Sequence, residues 1–164
     1  MNLEQLSAQR EIESRLLSYT RGIDRLDAEL VAAGFHPGAV LIGYAAEPMT
    51  IETFVEFVIP RLRSGFSATQ HRVSNLATEF RRDDLAILES YVLAFHVQPV
   101  NPGPDRLHTF NGRYVDRFEL RNDEWKIVER QLRVDWSKVE QLTETMGDDK
   151  WIPSARDRTD AIYD

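Results

Sequence analysis

Apolar residues recur along the first thirty positions with the spacing of an amphipathic helix. The steps between them are four, three, four, three and four residues, at Ile12, Leu16, Tyr19, Ile23, Leu26 and Leu30, which places all six on one helix face. Gly22 lies inside this stripe and costs about 1 kcal/mol relative to alanine, so we expect a bend or break between Gly22 and Leu26. Asp27 would then cap a short second helix over 28–33 that ends at Gly34.

A turn leading into a short strand follows, at 35–42. Thr50 then precedes an apolar segment that runs from Ile51 to Gly65. A threonine N-cap and an acidic Glu52 in the first turn favour a helix there. The β-branched residues of the segment would also suit a strand, which is the alternative.

Four segments rich in β-branched and aromatic residues fill the second half of the chain, at 69–80, 85–98, 108–121 and 124–136. Short turns join them, which predicts an antiparallel meander. Helices followed by a strongly curved, mainly antiparallel sheet define an α+β fold, with the N-terminal helices closing one face of the sheet. After Trp136 we expect a brief helical segment and then a polar tail.

Composition limits the class of protein. The chain has 164 residues, 20 lysines and arginines against 27 acidic residues, a net charge of −7, and no cysteine. This length fits one domain, which we assign to 1–146, followed by a tail at 147–164. Without cysteine there is no disulfide, thiolate nucleophile or cysteine-ligated metal. The acidic balance argues against nucleic acid as a partner, and the absence of a signal-like start or a long apolar run predicts a cytoplasmic protein that does not bind membranes.

Several short motifs are spread from the first predicted helix to the last predicted strand: Tyr19–Asp24, Phe35–Val40, Thr69–His71, Gly112–Phe118, Trp125–Ile127 and Asp135–Trp136. Together they resemble the SnoaL-like branch of the nuclear transport factor 2-like superfamily, over about residues 9–140. The resemblance implies a cone-shaped α+β barrel. The superfamily includes scytalone dehydratase, bile acid dehydratase, hexachlorocyclohexane dehydrochlorinase, ketosteroid isomerase, polyketide cyclases and members with no assigned activity.

The resemblance also implies a catalytic pair. Several lyases of this group use an aspartate on the first helical segment and a histidine at the start of a strand, which correspond to Asp24 and His71 here. Tyr19 matches an auxiliary position five residues before the aspartate. A neutral imidazole is a competent base near neutral pH, a carboxylate fixes its tautomer, and a phenol can donate to a developing oxygen charge. Such a site needs no metal and no cofactor.

Simpler interpretations exist for the same residues. On an ideal helix Asp24 lies about 120° from the centre of the apolar stripe, which favours solvent exposure unless the break near Gly22 turns it inward. His71 alone would more often be a structural histidine than a base. We therefore expect the catalytic arrangement only if an Asp24 oxygen lies within hydrogen-bond distance of a His71 ring nitrogen and the other ring nitrogen faces a cavity.

Strand alternation supplies candidates for contact with substrate. Tyr114 and Asp116 share one strand face, which the resemblance directs into the cavity. Arg130 lies on a largely apolar face of the last strand, and a buried arginine needs a carboxylate partner. Asp116 is the first candidate for that partner, so it either orients substrate, pairs with an arginine or forms a surface ion pair.

Other candidates complete the predicted pocket. His96 is loosely similar to a second histidine of the fungal melanin dehydratases, and Phe54 and Val58 would supply apolar lining. The four histidines lie in separate segments without short ligand spacing, so no metal site is predicted.

The sequence therefore predicts a lyase or isomerase, similar to a dehydratase, that acts on a small and mostly apolar ring compound such as a steroid, polyketide or aromatic catabolite. The alternative is a non-catalytic module of the same fold that binds a hydrophobic ligand or serves in assembly, because a fold does not determine a function. Three large apolar residues in the tail, Trp151, Ile152 and Tyr163, suggest that it docks on the domain or on a neighbouring subunit. An exposed sheet face and this tail predict a homo-oligomer, either a dimer or a trimer.

Overall fold

The computed structural model describes residues 2–144, 147 and 150–163. Within these residues the helices are α1 (Leu3–Arg25), α2 (Ala28–Ala33) and α3 (Ile51–Gly65). The strands are β1 (Phe35–Ile42), β2 (Met49–Thr50), β3 (Ala68–Arg82), β4 (Leu85–Gln98), β5 (Arg106–Arg121) and β6 (Glu124–Gln141). A short 3₁₀ helix at Ala161–Tyr163 follows in the tail.

The first two helices are separated where the sequence predicts a break. Helix α1 ends at Arg25, and Leu26 adopts the left-handed conformation. Asp27 caps α2 by accepting a hydrogen bond from the Leu30 amide at 3.0 Å. Gly22 itself does not interrupt α1. A Cβ atom at Gly22 would lie 2.7 Å from the Val31 amide nitrogen, so glycine is required for the close approach of α2.

The strands form one six-stranded sheet in the order β2-β1-β6-β5-β4-β3. Strands β3 to β6 form the predicted antiparallel meander, and β1 joins β6 in parallel. The α+β fold with helices on a curved, mainly antiparallel sheet is confirmed. The predicted helical segment after Trp136 is wrong, because β6 continues to Gln141, which pairs with Arg106 of β5.

The core lies between the helices and the sheet. Leu16 of α1, Leu88 of β4, Phe118 of β5 and Ile127 of β6 are all fully buried. Each such side chain contributes about 1.5–3 kcal/mol of hydrophobic stabilisation. None of the helices in the described ranges is long and apolar enough to cross a membrane.

The described part of the tail lies against the helices of its own domain. Tyr163 donates to Asp27 at 2.9 Å, and Arg25 pairs with Asp160 at 3.2 Å. Trp151 and Ile152, by contrast, are 56% and 96% exposed. Of Trp151, Ile152 and Tyr163, it is therefore Tyr163 that docks on the domain. The predicted domain boundary at position 146 lies outside the described residues.

Candidate active site

A cavity of about 180 Å³ lies between α1, α3 and the sheet. Its lining is mostly apolar and aromatic, with tyrosine and histidine side chains as its polar groups: Tyr19, Ile23, Tyr44, Phe54, Val58, Leu62, His71, Ala94, His96, Phe110, Tyr114 and Leu132. Small-molecule sites typically combine an apolar lining with a few convergent polar groups. This cavity has that character.

Asp24 and His71 form the hydrogen bond that the catalytic arrangement requires. The Nδ1 atom of His71 lies 2.7 Å from Asp24 Oδ1, and the backbone amide of His71 donates to Asp24 Oδ2 at 2.8 Å. An ionised carboxylate only accepts, so Nδ1 carries the proton. The Nε2 atom of the neutral ring is therefore the basic nitrogen, on a side chain that lines the cavity.

Asp24 reaches this position without a break in the helix before it. It lies inside α1 and is 9% exposed. The expectation that only a break near Gly22 would turn it inward is therefore wrong. Helix α1 contacts β6 and β3 of the sheet, and β3 carries the His71 that binds Asp24. The two hydrogen bonds from His71 compensate for the buried carboxylate.

Tyr19 lines the cavity, and its hydroxyl lies 3.3 Å from that of Tyr44. Burial raises the pKa of the Tyr19 hydroxyl, although the Arg130 charge opposes the shift, and burial raises the pKa of Tyr44 well above its ordinary value. Both hydroxyls are therefore protonated donors near neutral pH.

Tyr44 was not among the candidates found from the sequence. It follows Gly43, which has φ of +90°, and a Cβ atom there would lie 2.5 Å from the Leu132 carbonyl oxygen. Glycine thus permits the turn that directs the loop after β1 toward the cavity. The available signal is a tyrosine directly after a glycine in a loop that follows a strand bordering the site.

Asp116 and Arg130 form a buried ion pair. They are opposite one another on β5 and β6, and both N–H···O distances are 2.6 Å. Both side chains are fully buried and neither lines the cavity, so the prediction of direct substrate contact is corrected for these two residues. Of the alternatives for Asp116, the structure shows the arginine pair. Burial opposes the charged form of Arg130, but the charge of Asp116 and its hydrogen bonds, together with Tyr44 and Tyr19, raise the pKa of Arg130 well above its ordinary value.

The same arginine packs against the rings that line the cavity. Its guanidinium carbon lies 4.0 Å from the ring centre of Tyr19 and 4.3 Å from that of Tyr114. Cation–π contacts at such distances contribute about 2 kcal/mol when desolvated. The Asp116–Arg130 pair therefore supports the Tyr19 and Tyr114 rings from outside the cavity lining.

His96 lines the cavity beside His71, and their ring centres are 5.2 Å apart. Burial, followed by the positive charge of a protonated His71, lowers the pKa of His96 to about 4. The His96 ring is therefore neutral near pH 7.

Phe54, Val58 and Tyr114 also line the cavity, as expected for pocket residues. Phe110 and Leu132 were missed, although each lies on the inward face of its strand by alternation. Among the residues that the structure describes, no group of three or more potential metal ligands is found.

Helices that close a curved, mainly antiparallel sheet around a small cavity define a cone-shaped α+β domain of the cystatin-like kind. A family model for the SnoaL-like domain matches residues 4–131, and the chain belongs to this family. The resemblance found in the sequence is thereby confirmed. No protein of curated function matches the sequence.

Solved structures share the fold. A Novosphingobium aromaticivorans protein provisionally assigned as a scytalone dehydratase is 22% identical with a TM-score of 0.72, over 89% of this chain and 100% of that one. Hexachlorocyclohexane dehydrochlorinase LinA-type3 from Novosphingobium barchaimii is 18% identical with a TM-score of 0.75, over 90% and 100%. A cystatin-like protein from Nostoc punctiforme is 22% identical with a TM-score of 0.60, over 77% and 90%. At these identities the likeness shows the fold.

Proposed function

We propose that the protein is a lyase or isomerase that uses the Asp24–His71 pair to remove a proton from carbon in a small, uncharged ring compound. The observation that carries this proposal is the double hydrogen bond from His71 to the Asp24 carboxylate, at 2.7 and 2.8 Å. It fixes both the strand position and the ring tautomer of His71 at the wall of an apolar cavity. The dehydratase and dehydrochlorinase names among the structural neighbours agree with elimination chemistry.

The proposed elimination starts at Nε2 of His71. This nitrogen takes a proton from a carbon next to the one that bears the leaving group, and the C–H electron pair forms the new double bond. A departing hydroxide takes the proton from Nε2 and leaves as water. A departing halide leaves as the anion, and the imidazolium then passes its proton to solvent, so His71 becomes neutral again in both cases. In an isomerisation the same proton returns to a different carbon. Asp24 stabilises the imidazolium while the proton is on His71.

Tyr19 and Tyr44 act on the oxygen of the substrate. Their hydroxyls are 3.3 Å apart and form the polar part of the lining on the α1 side. Because their pKa values are raised, they remain hydrogen-bond donors when negative charge develops on a carbonyl or leaving oxygen.

Cavity size and charge narrow the class of compound. An engineered 150 Å³ apolar cavity holds benzene, so about 180 Å³ fits one substituted ring more readily than a four-ring steroid. Asp24 is paired with His71, and His96 is neutral near pH 7. The cavity wall therefore presents no unpaired charge, which favours a neutral ligand.

A panel of uncharged one-ring and two-ring alcohols, ketones and halides tests the proposal by mass spectrometry, with loss of water or hydrogen halide as the readout and rearrangement followed by NMR. We expect at least one compound to be converted, and we expect His71→Ala to lower its rate by about 10²–10⁴-fold.

His108→Asn is the matched control, because His108 pairs with Gln98 at 2.9 Å and does not line the cavity. It should retain most of the rate. Equal rates in the wild type and His71→Ala would contradict the proposal. Compounds that bind in the cavity but are not converted would favour the ligand-binding alternative.

A further inference from the structure

The C-terminal tail contacts three of the elements that carry the candidate site, α1, α3 and β3. Asp160 pairs with Arg25, the residue after Asp24 at the end of α1. Tyr163 donates to Asp27 at the start of α2. Arg156 reaches α3 and β3, which carry the apolar wall of the cavity and His71. One segment thus joins elements that are far apart in sequence at the place where the site is assembled.

The guanidinium of Arg156 lies between the end of α3 and the start of β3. Its Nη1 donates to the Phe66 carbonyl oxygen at 2.5 Å and lies 3.5 Å from that of Leu62. Its Nη2 lies 3.4 Å from Thr69 Oγ1. The last carbonyls of a helix lack partners inside the helix and carry partial negative charge, so a cation there is stabilising. One side chain therefore joins the helix end to the strand start.

These contacts lead to His71 by two routes. Thr69 and His71 are two residues apart on β3 and share a face of the strand. Through the rings, Phe66 packs against His96 with centres 5.2 Å apart, and His96 packs against His71 at the same separation. If the groups that Arg156 binds moved, the His71 ring would therefore also move, either with strand β3 or through its contact with the Phe66 and His96 rings.

Arg156 is also held partly out of water. Its Nε is buried and has no hydrogen-bond partner among the described residues. Burial lowers the pKa of Arg156, and the attraction of the Asp24 carboxylate opposes that shift. The guanidinium therefore lies within electrostatic reach of the candidate pair.

We propose that Arg156 is a positioning residue for the Asp24–His71 pair. It fixes the start of β3 against the end of α3, and so holds the His71 ring in hydrogen-bond contact with Asp24. The importance of this arrangement for turnover rests on the proposed function, but the positioning itself does not.

The test measures the ring N–H of His71 by NMR on the full-length protein labelled with ¹⁵N-histidine. In the wild type the Nδ1 proton is hydrogen-bonded to Asp24, so we expect it to exchange slowly with water. In Arg156→Gln we expect its exchange to become about tenfold faster or more, because the charge-assisted bond to α3 is lost. Backbone amides of the central strands β4 and β5 should keep their exchange rates.

Arg158→Gln is the matched control in the same tail. Arg158 contacts Asp27 at 3.5 Å and the Tyr163 ring at 4.6 Å, and its removal should leave the His71 proton unchanged. Arg156→Lys keeps the cation but cannot span α3 and β3, so its exchange should fall between the wild type and Arg156→Gln. If Arg156→Gln does not fold, Arg156→Lys alone decides.

The proposal would be overturned if the His71 ring proton exchanged within twofold of the wild-type rate in Arg156→Gln, or in Arg156→Lys where Arg156→Gln does not fold. Equal acceleration at His71 and throughout β4 and β5 would also overturn it, because that pattern reports general destabilisation. The readout needs no substrate, so a positive result together with no turnover of any compound would contradict the proposed function and leave the role of Arg156 intact.

Discussion

Asp24 and Asp116 are buried carboxylates that each bind a nitrogen-bearing side chain, and they differ in what that partner can do. Asp24 binds His71, an imidazole that can take up and release a proton and whose ring lines the cavity. Asp116 binds Arg130, which stays charged and lies behind the lining, with both side chains fully buried. The first pair can exchange a proton with a ligand, whereas the second can only hold charge and shape in place.

The difference teaches that burial alone does not identify a catalytic carboxylate. Asp116 is the more deeply buried of the two, yet its bidentate bonds to Arg130 use its acceptor sites in a closed environment. Asp24 retains 9% exposure and orients the base of the proposed mechanism. Access of the partner to the cavity is what separates the two roles.

The largest expected effect on stability comes from breaking the Asp116–Arg130 pair. Asp116→Asn leaves the Arg130 charge buried and unpaired, which should lower the free energy of unfolding by about 3–5 kcal/mol, as measured by urea denaturation. Asp84→Asn is the control, because Asp84 pairs with Arg82 at 3.0 Å on the surface and should change nothing measurable. Similar effects of the two substitutions would contradict the structural role of the buried pair.

Acid should destabilise the protein through His96, which lies next to the Asp24–His71 pair. Its pKa of about 4 lies below the ordinary value of 6.5, so the unfolded chain binds more protons between these values. Stability should therefore fall as the pH drops from 6.5 to 4, by about 3 kcal/mol from this group. His96→Asn should remove that part of the difference in unfolding free energy between pH 7 and pH 4. The same pH dependence of stability in the wild type and in His96→Asn would show that the pKa of His96 is not lowered in the folded protein.

Asp24→Asn should cost less stability than Asp116→Asn. The amide oxygen can still accept one of the two hydrogen bonds from His71, and neutral His71 leaves no buried charge unpaired. We expect a loss of about 1.5–3 kcal/mol in urea denaturation. A loss larger than that of Asp116→Asn would reverse the assignment of the two pairs.

The smallest effect is expected at the tyrosines. Tyr44→Phe removes one partner of the 3.3 Å hydroxyl contact with Tyr19 and should change stability by about 0.5–1.5 kcal/mol. Expressed as a free energy, the loss in turnover of a carbonyl compound should exceed this loss of stability, because in the proposed mechanism the hydroxyl binds the developing negative charge. Unchanged kcat in Tyr44→Phe would remove this residue from the proposed mechanism.

The sequence predicts the helices closely because their signals are local. Asp27, Gly34 and Thr50 act as caps where they stand, and alternation with short turns defines β3 to β6. The extension of β6 beyond Trp136 was missed because it depends on pairing with β5, which is not a local property.

The residues of the site likewise divide into those that follow from local sequence signals and those that depend on the assembled fold. The Asp116–Arg130 pair follows from the need of a buried arginine for a carboxylate. The inward orientation of Asp24 does not follow from the periodicity of α1, because it depends on the contact of the helix with β3, which is distant in sequence. Tyr44 and Arg156 belong to a loop and to the tail, and their positions depend on the assembled fold.

The most direct test of the central claim is kcat/KM of Asp24→Asn for a compound that the wild type converts. The asparagine keeps the shape of the site but not the carboxylate that fixes the His71 tautomer and stabilises its protonated form. We predict a fall of about 10²-fold or more, with the far-ultraviolet circular dichroism unchanged. A kcat/KM within threefold of the wild type would contradict the assignment of Asp24 and His71 as the catalytic pair.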